Sequence, residues 1–402
     1  MDYVFASPLM DNGTVEKTET PIISYPKKNT SSIFVTAEDN AKYIDNKGFK
    51  ISSDSSKILY LESNQYDIVP MTSPYDKFQL YVFDNNFQKI WEKEITFLYS
   101  DAKLKVEKFG VSNNGEVYIL ASRFMHTFHP RKVPEKYFLF YRVNKEGIIS
   151  TTEIKLDNAY VTDVACSYHL DGSLFITGIY SSRNQKLLNT HGAFIMKYDV
   201  GNNLIFSKKH SFEETLLEKL KCTIQETTYR NYFKFSINYL LINHKKQTIS
   251  FVAENRYSEP KGGGLFAVFF SDDILVPTFS FDGSLEWITH VDKKFKSPYI
   301  YHTPTVVSNR NGNIYLVSNA HKTKNQVSNF NHKRKQTMFS FYTDLIRVNT
   351  DGVVDFEKTI FHSRDLKKDL NTALSQRMHN GDFLLYFNTE KTFQYGTLTL
   401  PK

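Results

Sequence analysis

Residues Asn113-Asn114-Gly115-Glu116-Val117-Tyr118-Ile119-Leu120 set a polar, glycine-bearing turn directly against a compact apolar run. Asn-Gly supplies the positive φ that a tight hairpin turn requires. The run behind it is too short for a helix and apolar on both faces, which is the signature of an inner strand buried in a packed sheet. The same half-unit recurs as Ser53-Asp54-Ser55-Ser56 before Ile58-Leu59-Tyr60-Leu61, as Asp171-Gly172 before Leu174-Phe175-Ile176, and as Asn311-Gly312 before Ile314-Tyr315-Leu316-Val317. It returns as Asn380-Gly381 before Phe383-Leu384-Leu385-Tyr386, with a weaker copy at His244-Lys245-Lys246 before Ile249-Ser250-Phe251, making six.

Each copy continues into a second hairpin. Tyr81-Val82-Phe83 passes through Asp84-Asn85-Asn86 to Trp91, and Leu139-Phe140-Tyr141 through Asn144-Lys145-Glu146-Gly147 to Ile149. Phe279-Ser280-Phe281 passes through Asp282-Gly283 to Leu285 and Trp287, and Leu345-Ile346 through Asp351-Gly352 to Val354 and Phe356. The two-residue spacing of Leu285/Trp287 and Val354/Phe356 puts each pair on one face of a strand. A unit is therefore four strands in two hairpins. Repeated four-stranded units stack face to face, and closing the stack into a ring leaves few exposed edges.

These features predict an all-β β-propeller of six four-stranded antiparallel blades. A seventh blade is the alternative if residues 3–45 form a degenerate copy, and an open solenoid is the rival architecture. Starting points at Ser56 and Gly381 enclose five steps over 325 residues, a mean period of 65. Compact blades need about 40–50 residues, so the excess is assigned to loops. The last copy contains only three strands, and Asp11-Asn12-Gly13-Thr14-Val15 is nominated as the N-terminal strand that closes it. Residues 1–402 are read as one domain: 1–45 as closing segment, 46–390 as repeated blades, 391–402 as C-terminal strand. One short helix is expected where Ser211 and Glu214 have capping-box spacing ahead of Leu216, Leu217 and Leu220, with Phe212 completing the apolar stripe.

Composition narrows the function classes. The 402 residues are 41% hydrophobic and 23% charged, enough to bury a core and unlike a disordered chain. No apolar run approaches the ~20 residues of a membrane-spanning helix, and Met1-Asp2-Tyr3 does not read as a secretory signal. The net charge of +7 is mostly lysine and decides nothing until the charges are placed. Nucleic acid is disfavoured as a partner because no groove-reading motif occurs. Cys166 and Cys222 form no metal knuckle, and their pairing is left open. His126 and His129 lack a third ligand, Gly262-Gly263-Gly264 lacks the lysine and helix of a phosphate loop, and no nucleophile elbow occurs. No metal, cofactor or catalytic residue is therefore assigned. Asp163 is the lone carboxylate placed near the central channel, and Asp282-Gly283 with Trp287 reads as a turn.

In a blade, the first-to-second and third-to-fourth turns lie on one side of the disc, and the remaining connections on the other. The first set is short here; the second is long, at 64–78, 126–137, 182–194, 255–273 and 321–340 between strands and at 208–231, 292–303 and 361–374 between blades. Loops on a rigid scaffold carry most binding functions, so the long-loop side is the expected working face. Its basic and aromatic members, Tyr66, Tyr75, Phe128, Arg131, Lys132, Tyr257, Phe330, Lys333, Arg334 and Lys335, are the candidate binding residues. They suit a protein or glycan ligand, acidic ones included.

The segments "SSDSSKILYLES", "LYVFDNNFQKIWEKEI", "VSNNGEVYILAS", "FFSDDILVPTFSFDGSLEWITHV" and "NRNGNIYLVSN" together resemble a group of uncharacterised bacterial propeller-like proteins, many of them exported. The resemblance spans most of residues 49–390 and consists of turns and strands, so it transfers no functional residue. It implies a periplasmic or extracellular location. The expectation is a monomeric, noncatalytic binding scaffold; a carbohydrate-active propeller enzyme, with carboxylates at the channel, is the alternative.

Overall fold

The computed structural model describes residues 2–6, 20–25, 48–63, 77–97, 104–124, 136–182, 190–222, 235–261, 266–321, 341–363, 368–378, 380–388 and 393–400. The fold is a six-bladed β-propeller. Blade one contains strands Gly48–Ile51, Lys57–Ser63, Lys77–Asp84 and Lys89–Thr96; blade two contains Leu104–Val111, Val117–Phe124, Lys136–Asn144 and Gly147–Ile154. Blade three is built from Ala159–Tyr168, Leu174–Ser182, Gly192–Tyr198 and Leu204–Ser211, and blade four from Phe235–Asn243, Thr248–Lys261, Phe266–Ser280 and Leu285–Ser297. Blade five is Val306–Arg310, Asn313–Ala320, Tyr342–Val348 and Val354–His362; blade six shows three strands, Asp369–Arg377, Phe383–Asn388 and Phe393–Leu398. Within every blade the strands pair antiparallel in chain order. The proposed closing strand at 11–15 lies outside the described residues; the described N-terminal strands, Asp2–Ala6 and Thr20–Tyr25, pair with each other.

Both faces of a blade are covered, which explains the continuous apolar runs of the second and third strands. Leu59, Leu61 and Leu80 of blade one share a buried cluster with Val117, Ile119 and Tyr141 of blade two. Corresponding clusters join blades two and three, three and four, four and five, and five and six. The far flank of blade one, Ile58 and Phe83, is buried as well. The helix forms as Glu214–Cys222, with Leu216, Leu217 and Leu220 packed beside Phe212 against blades three and four. The expected capping box is not what starts it. Ser211 is still in the fourth strand of blade three, and its hydroxyl lies 3.1 Å from the Tyr180 hydroxyl.

The tight turns repeat one mechanism. A side-chain oxygen of Asp54, Asp84, Asn144, Asp171, Asp282, Asn349 or Asn380 accepts the backbone N–H two residues ahead, and glycines such as Gly115 and Gly352 occupy the positive-φ position. The turns also lock adjacent blades. Trp91 Nε1 donates to Gly115 O at 3.2 Å, Arg142 to Val200 O at 2.8 Å, His210 Nε2 lies 2.9 Å from Gly283 O, Trp287 Nε1 donates to Thr350 O at 3.2 Å, and Ser308 donates to Gly381 O. Each of the five consecutive blade junctions thus has a side chain of one blade tied to a turn carbonyl of the next. Asp282 belongs to this structural set, as its turn reading predicted.

Candidate functional site

Blade four departs from the repeat. Its second, third and fourth strands have 14, 15 and 13 residues, whereas the second strands of the other blades have six to nine. The surplus lies at the end away from the tight turns. At about 3.3 Å per residue, five extra residues raise this sheet roughly 16 Å above the long-loop side of the disc. The segment 255–273, read from the sequence as a loop, is mainly paired strand: Asn255 through Lys261 pair with Asp272 through Phe266. The link 292–303 likewise begins as strand, Leu285–Ser297, in which Lys293, Phe295 and Ser297 are buried and Lys294 and Lys296 exposed. That alternation has a period of two, and lysine content concealed it.

Directly paired residues share a face of a sheet, so register sorts the projection into two sides. Ala253 and Leu275 belong to the cluster shared with blade three. On their side, the next row across the three strands is Asn255, Asp272 and Lys294, and the row beyond it is Tyr257, Phe270 and Lys296. The Tyr257 and Phe270 rings are parallel within 3°, with centroids 4.8 Å apart. Tyr257 OH donates to Asp272 Oδ2 at 2.9 Å. Asp272 is buried, and this desolvation, reinforced by the neighbouring Asp273, pushes its carboxyl up to about 6 against the pull of the Tyr257 hydrogen bond and the lysines. Burial and Asp272 also push the Tyr257 phenol up. A bulge between Asp272 and Ile274 leaves Asp273 in left-handed backbone, φ 46°, with its carboxylate 2.6 Å from His290 Nε2.

The opposite side is a closed brace. Glu254 Oε1 receives Lys293 Nζ at 2.5 Å, Thr305 Oγ1 at 2.7 Å and Ser271 Oγ at 2.8 Å; Oε2 receives Asn238 Nδ2 at 3.0 Å and Thr305 N at 3.2 Å. Lys293 also donates to Thr303 O at 2.8 Å and Thr305 Oγ1 at 3.2 Å, so its three acceptors match the three hydrogens of an ammonium. Burial would raise Glu254, but Lys293, Arg256 and these hydrogen bonds hold it below its ordinary value. The network ties blade four to the link entering blade five, and no oxygen of Glu254 is left for a ligand. Nearby His302 is buried, with Nδ1 3.1 Å from Ser297 Oγ and Nε2 without a hydrogen-bond partner among the described residues; desolvation drives it down to about 3, so it is neutral.

Of the ten sequence-predicted binding residues, Tyr257 is the one described, half-buried in the upper row. Tyr66, Tyr75, Phe128, Arg131, Lys132, Phe330, Lys333, Arg334 and Lys335 lie outside the described residues, as do His126, His129 and Gly262-Gly263-Gly264. Asp163 is accounted for structurally: its Oδ2 accepts Ile237 N at 2.6 Å, stitching the inner strands of blades three and four. Lys108 Nζ reaches Ile237 O at 2.5 Å. Cys166 is buried, and desolvation pushes its thiol up to about 12, far from nucleophilic range. Among the described residues no group of three or more metal-ligating side chains converges, and no helix is long and apolar enough to cross a membrane. Sequence reasoning missed Asn255, Phe270, Asp272, Asp273 and His290. The run Phe269-Phe270-Ser271-Asp272 shows no two-residue alternation of its own, and the pairing and bulge that bring these residues together are not written in any one strand.

No protein-family model and no curated protein sequence matches the chain. Among solved structures, it is similar to the polysaccharide lyase Uly1 at TM-score 0.40 and 10% identity, covering 87% of this chain and 76% of that one. A subtype N10 neuraminidase-like protein of A/little yellow-shouldered bat/Guatemala/060/2010 gives TM-score 0.36 and 12% identity over 81% and 88% of the two chains. A putative exo-beta-1,3-galactanase from Bifidobacterium bifidum s17 gives 0.35 and 12% over 68% and 82%.

Proposed function

We propose that this chain, taken as one propeller domain, is a noncatalytic scaffold that binds a protein or glycan partner through its long-loop face. The projecting sheet of blade four is the docking wall. The observation that carries this reading is the asymmetry of that sheet: its back is fixed by the Glu254–Lys293–Thr305 network, and its front sets the buried amide of Asn255 and carboxyl of Asp272 in register with half-buried aromatic rings and exposed ammonium groups. A rigid element that extends beyond the ring and keeps a mixed polar and aromatic front is suited to recognition.

A carbohydrate-active enzyme is the second reading, favoured by one observation. Asp272, pushed up to about 6, has the acidity that general acid catalysis uses near neutral pH. Glycoside hydrolysis requires a second carboxylate across the scissile bond. The adjacent Asp273 is engaged by His290, and Glu254 points to the other side of the sheet with both oxygens occupied. Binding without turnover is the better fit.

The test is a binding screen of the purified chain on glycan and protein arrays with two surface variants. Lys294→Glu with Tyr299→Ala alters the long-loop side, where both residues are exposed. Lys145→Glu with Lys245→Glu alters the tight-turn side, where both are exposed. Loss of the captured partner in the first variant and retention in the second is expected. The reverse pattern rejects the reading, and release of cleaved glycan rejects its noncatalytic part.

A further inference from the structure

We propose that the blade-three side of the projecting sheet is a saccharide site selective for neutral, hydroxyl-rich sugars, formed by Asn255, Tyr257, Phe270, Asp272, Lys294 and Lys296. This rests on the reading of the long-loop face as the binding face and names its ligand.

The argument begins with register. Asn255, Asp272 and Lys294 are mutually paired across three adjacent strands, so their side chains stand in one line at strand spacing, about 4.8 Å apart. The line reads amide, carboxyl, ammonium. A sugar ring offers adjacent hydroxyls that both donate and accept, and alternating donor and acceptor groups satisfy both roles. Asp272, although largely buried, takes the Tyr257 hydroxyl on Oδ2, which fixes the carboxylate's orientation, and no further hydrogen bond to it is formed among the described residues, so Oδ1 is the oxygen assigned to a ligand hydroxyl. One row further out, the parallel Tyr257 and Phe270 rings provide apolar area beside this polar line, and both are half-buried, so ordering them for a ligand costs little side-chain entropy. Sugars present apolar C–H edges and polar hydroxyls on the same ring, and the two rows match that division.

Charge decides between neutral and acidic sugars. Lys294 and Lys296 share this side with Asp272, Asp273, Asp292 and Glu259 by strand alternation and pairing, and His290 stands there bonded to Asp273. The positive groups are offset by at least as many carboxyls, and Asp272 sits in the centre of the polar row. An anionic sugar would meet a carboxylate where it needs a donor, whereas a neutral sugar uses that carboxylate as an acceptor. Size decides between sugar and protein. Two rows across three strands span roughly 10 Å by 7 Å, far below the ~800 Å² that each partner contributes to a standard protein interface.

The test uses the full chain on an array of neutral oligosaccharides (gluco-, galacto-, manno- and xylo-series) alongside uronate-containing and sialylated counterparts, followed by titration calorimetry on the best ligand. Binding to a neutral series is expected. Asp272→Asn and Lys294→Ala should each weaken it at least about tenfold, the worth of one charge-assisted hydrogen bond, with Lys145→Ala unchanged and melting temperatures confirming folded variants. Exclusive binding of acidic sugars overturns the inference, as does a bound neutral sugar whose affinity ignores both substitutions. A protein partner lost in Lys294→Glu, with no sugar bound, overturns the sugar assignment and leaves the long-loop reading standing. A ligand lost only on tight-turn substitution removes both.

Discussion

Replacing Lys293 with methionine tests whether the brace behind blade four is an ion pair that the fold depends on. Methionine keeps most of the stem volume and removes the ammonium, stranding Glu254, which has 0% exposure, as an uncompensated charge. Breaking a buried pair from one side costs about 3–5 kcal/mol. Glu254 keeps neutral donors from Thr305, Ser271 and Asn238, which favours the lower figure, while Thr303 O loses its donor and adds about 1 kcal/mol. The expected loss at pH 7 is about 3–4 kcal/mol. Adding Glu254→Gln removes the stranded charge; the amide oxygen can still accept from Asn238 Nδ2 and Thr305 N while its NH2 donates to the Ser271 and Thr305 hydroxyls, which can reverse roles, so the double variant should lose only about 1–2 kcal/mol, a coupling of about 2 kcal/mol or more. The single variant carries a pH signature. Without Lys293, desolvation lifts the folded-state Glu254 carboxyl above its unfolded value, so the deficit is complete above the folded pKa and shrinks as pH falls through it. Urea denaturation of the four proteins at pH 7 and pH 4.5 measures all of this. A single-variant loss under about 1 kcal/mol, or a double variant less stable than the single, would refute the brace.

Gly352→Ala should destabilise by about 2–4 kcal/mol and shift tryptophan emission, because φ there is +80° and an added Cβ would stand 2.5 Å from the Trp287 ring. Unchanged emission and stability would show that the junction between blades four and five tolerates displacement. Asp272→Asn should stabilise the chain at pH 7–8 and leave it nearly unchanged at pH 4: its folded pKa, about 6, exceeds the unfolded value, so the wild type loses stability as pH rises through that window, by about 2–3 kcal/mol in all. His302 acts with the opposite slope. Held at about 3, it binds its proton more readily when unfolded, so stability drops as pH falls below about 6.5. His302→Leu should flatten that acid limb in a denaturation series from pH 7 to 4; an identical limb in wild type and variant would assign it elsewhere.

The repeat was legible because it is written in local chemistry. Asn113-Asn114-Gly115 and its equivalents encode positive-φ turns, and the apolar runs behind them encode strands covered on both faces, neither of which needs a distant partner to be recognised. Trp91 and Trp287 were visible as aromatics at one position of the unit. Their role as donors to Gly115 O and Thr350 O was not, because the acceptors lie in the next blade, 24 and 63 residues away. The candidate site was misread for a related reason. Lys293-Lys294-Phe295-Lys296 looks like a solvated loop by composition, yet the same residues alternate between a buried brace and an exposed row once the strand is paired. Composition averages over both faces of a strand and erases the distinction on which function depends. Asp272 and Asp273 add a second difficulty: one bulge aims two adjacent carboxyls at different partners, Tyr257 and His290, and gives the first an acidity near neutrality. A bulge is a property of the pairing between two strands, so the sequence of one strand does not contain it. Blade four therefore combines one of the repeat's most readable elements, its Asp282-Gly283 turn, with its least readable one at the other end of the same strands. The tight-turn end, where local rules suffice, holds the ring together; the projecting end, where register governs, is where recognition is assigned.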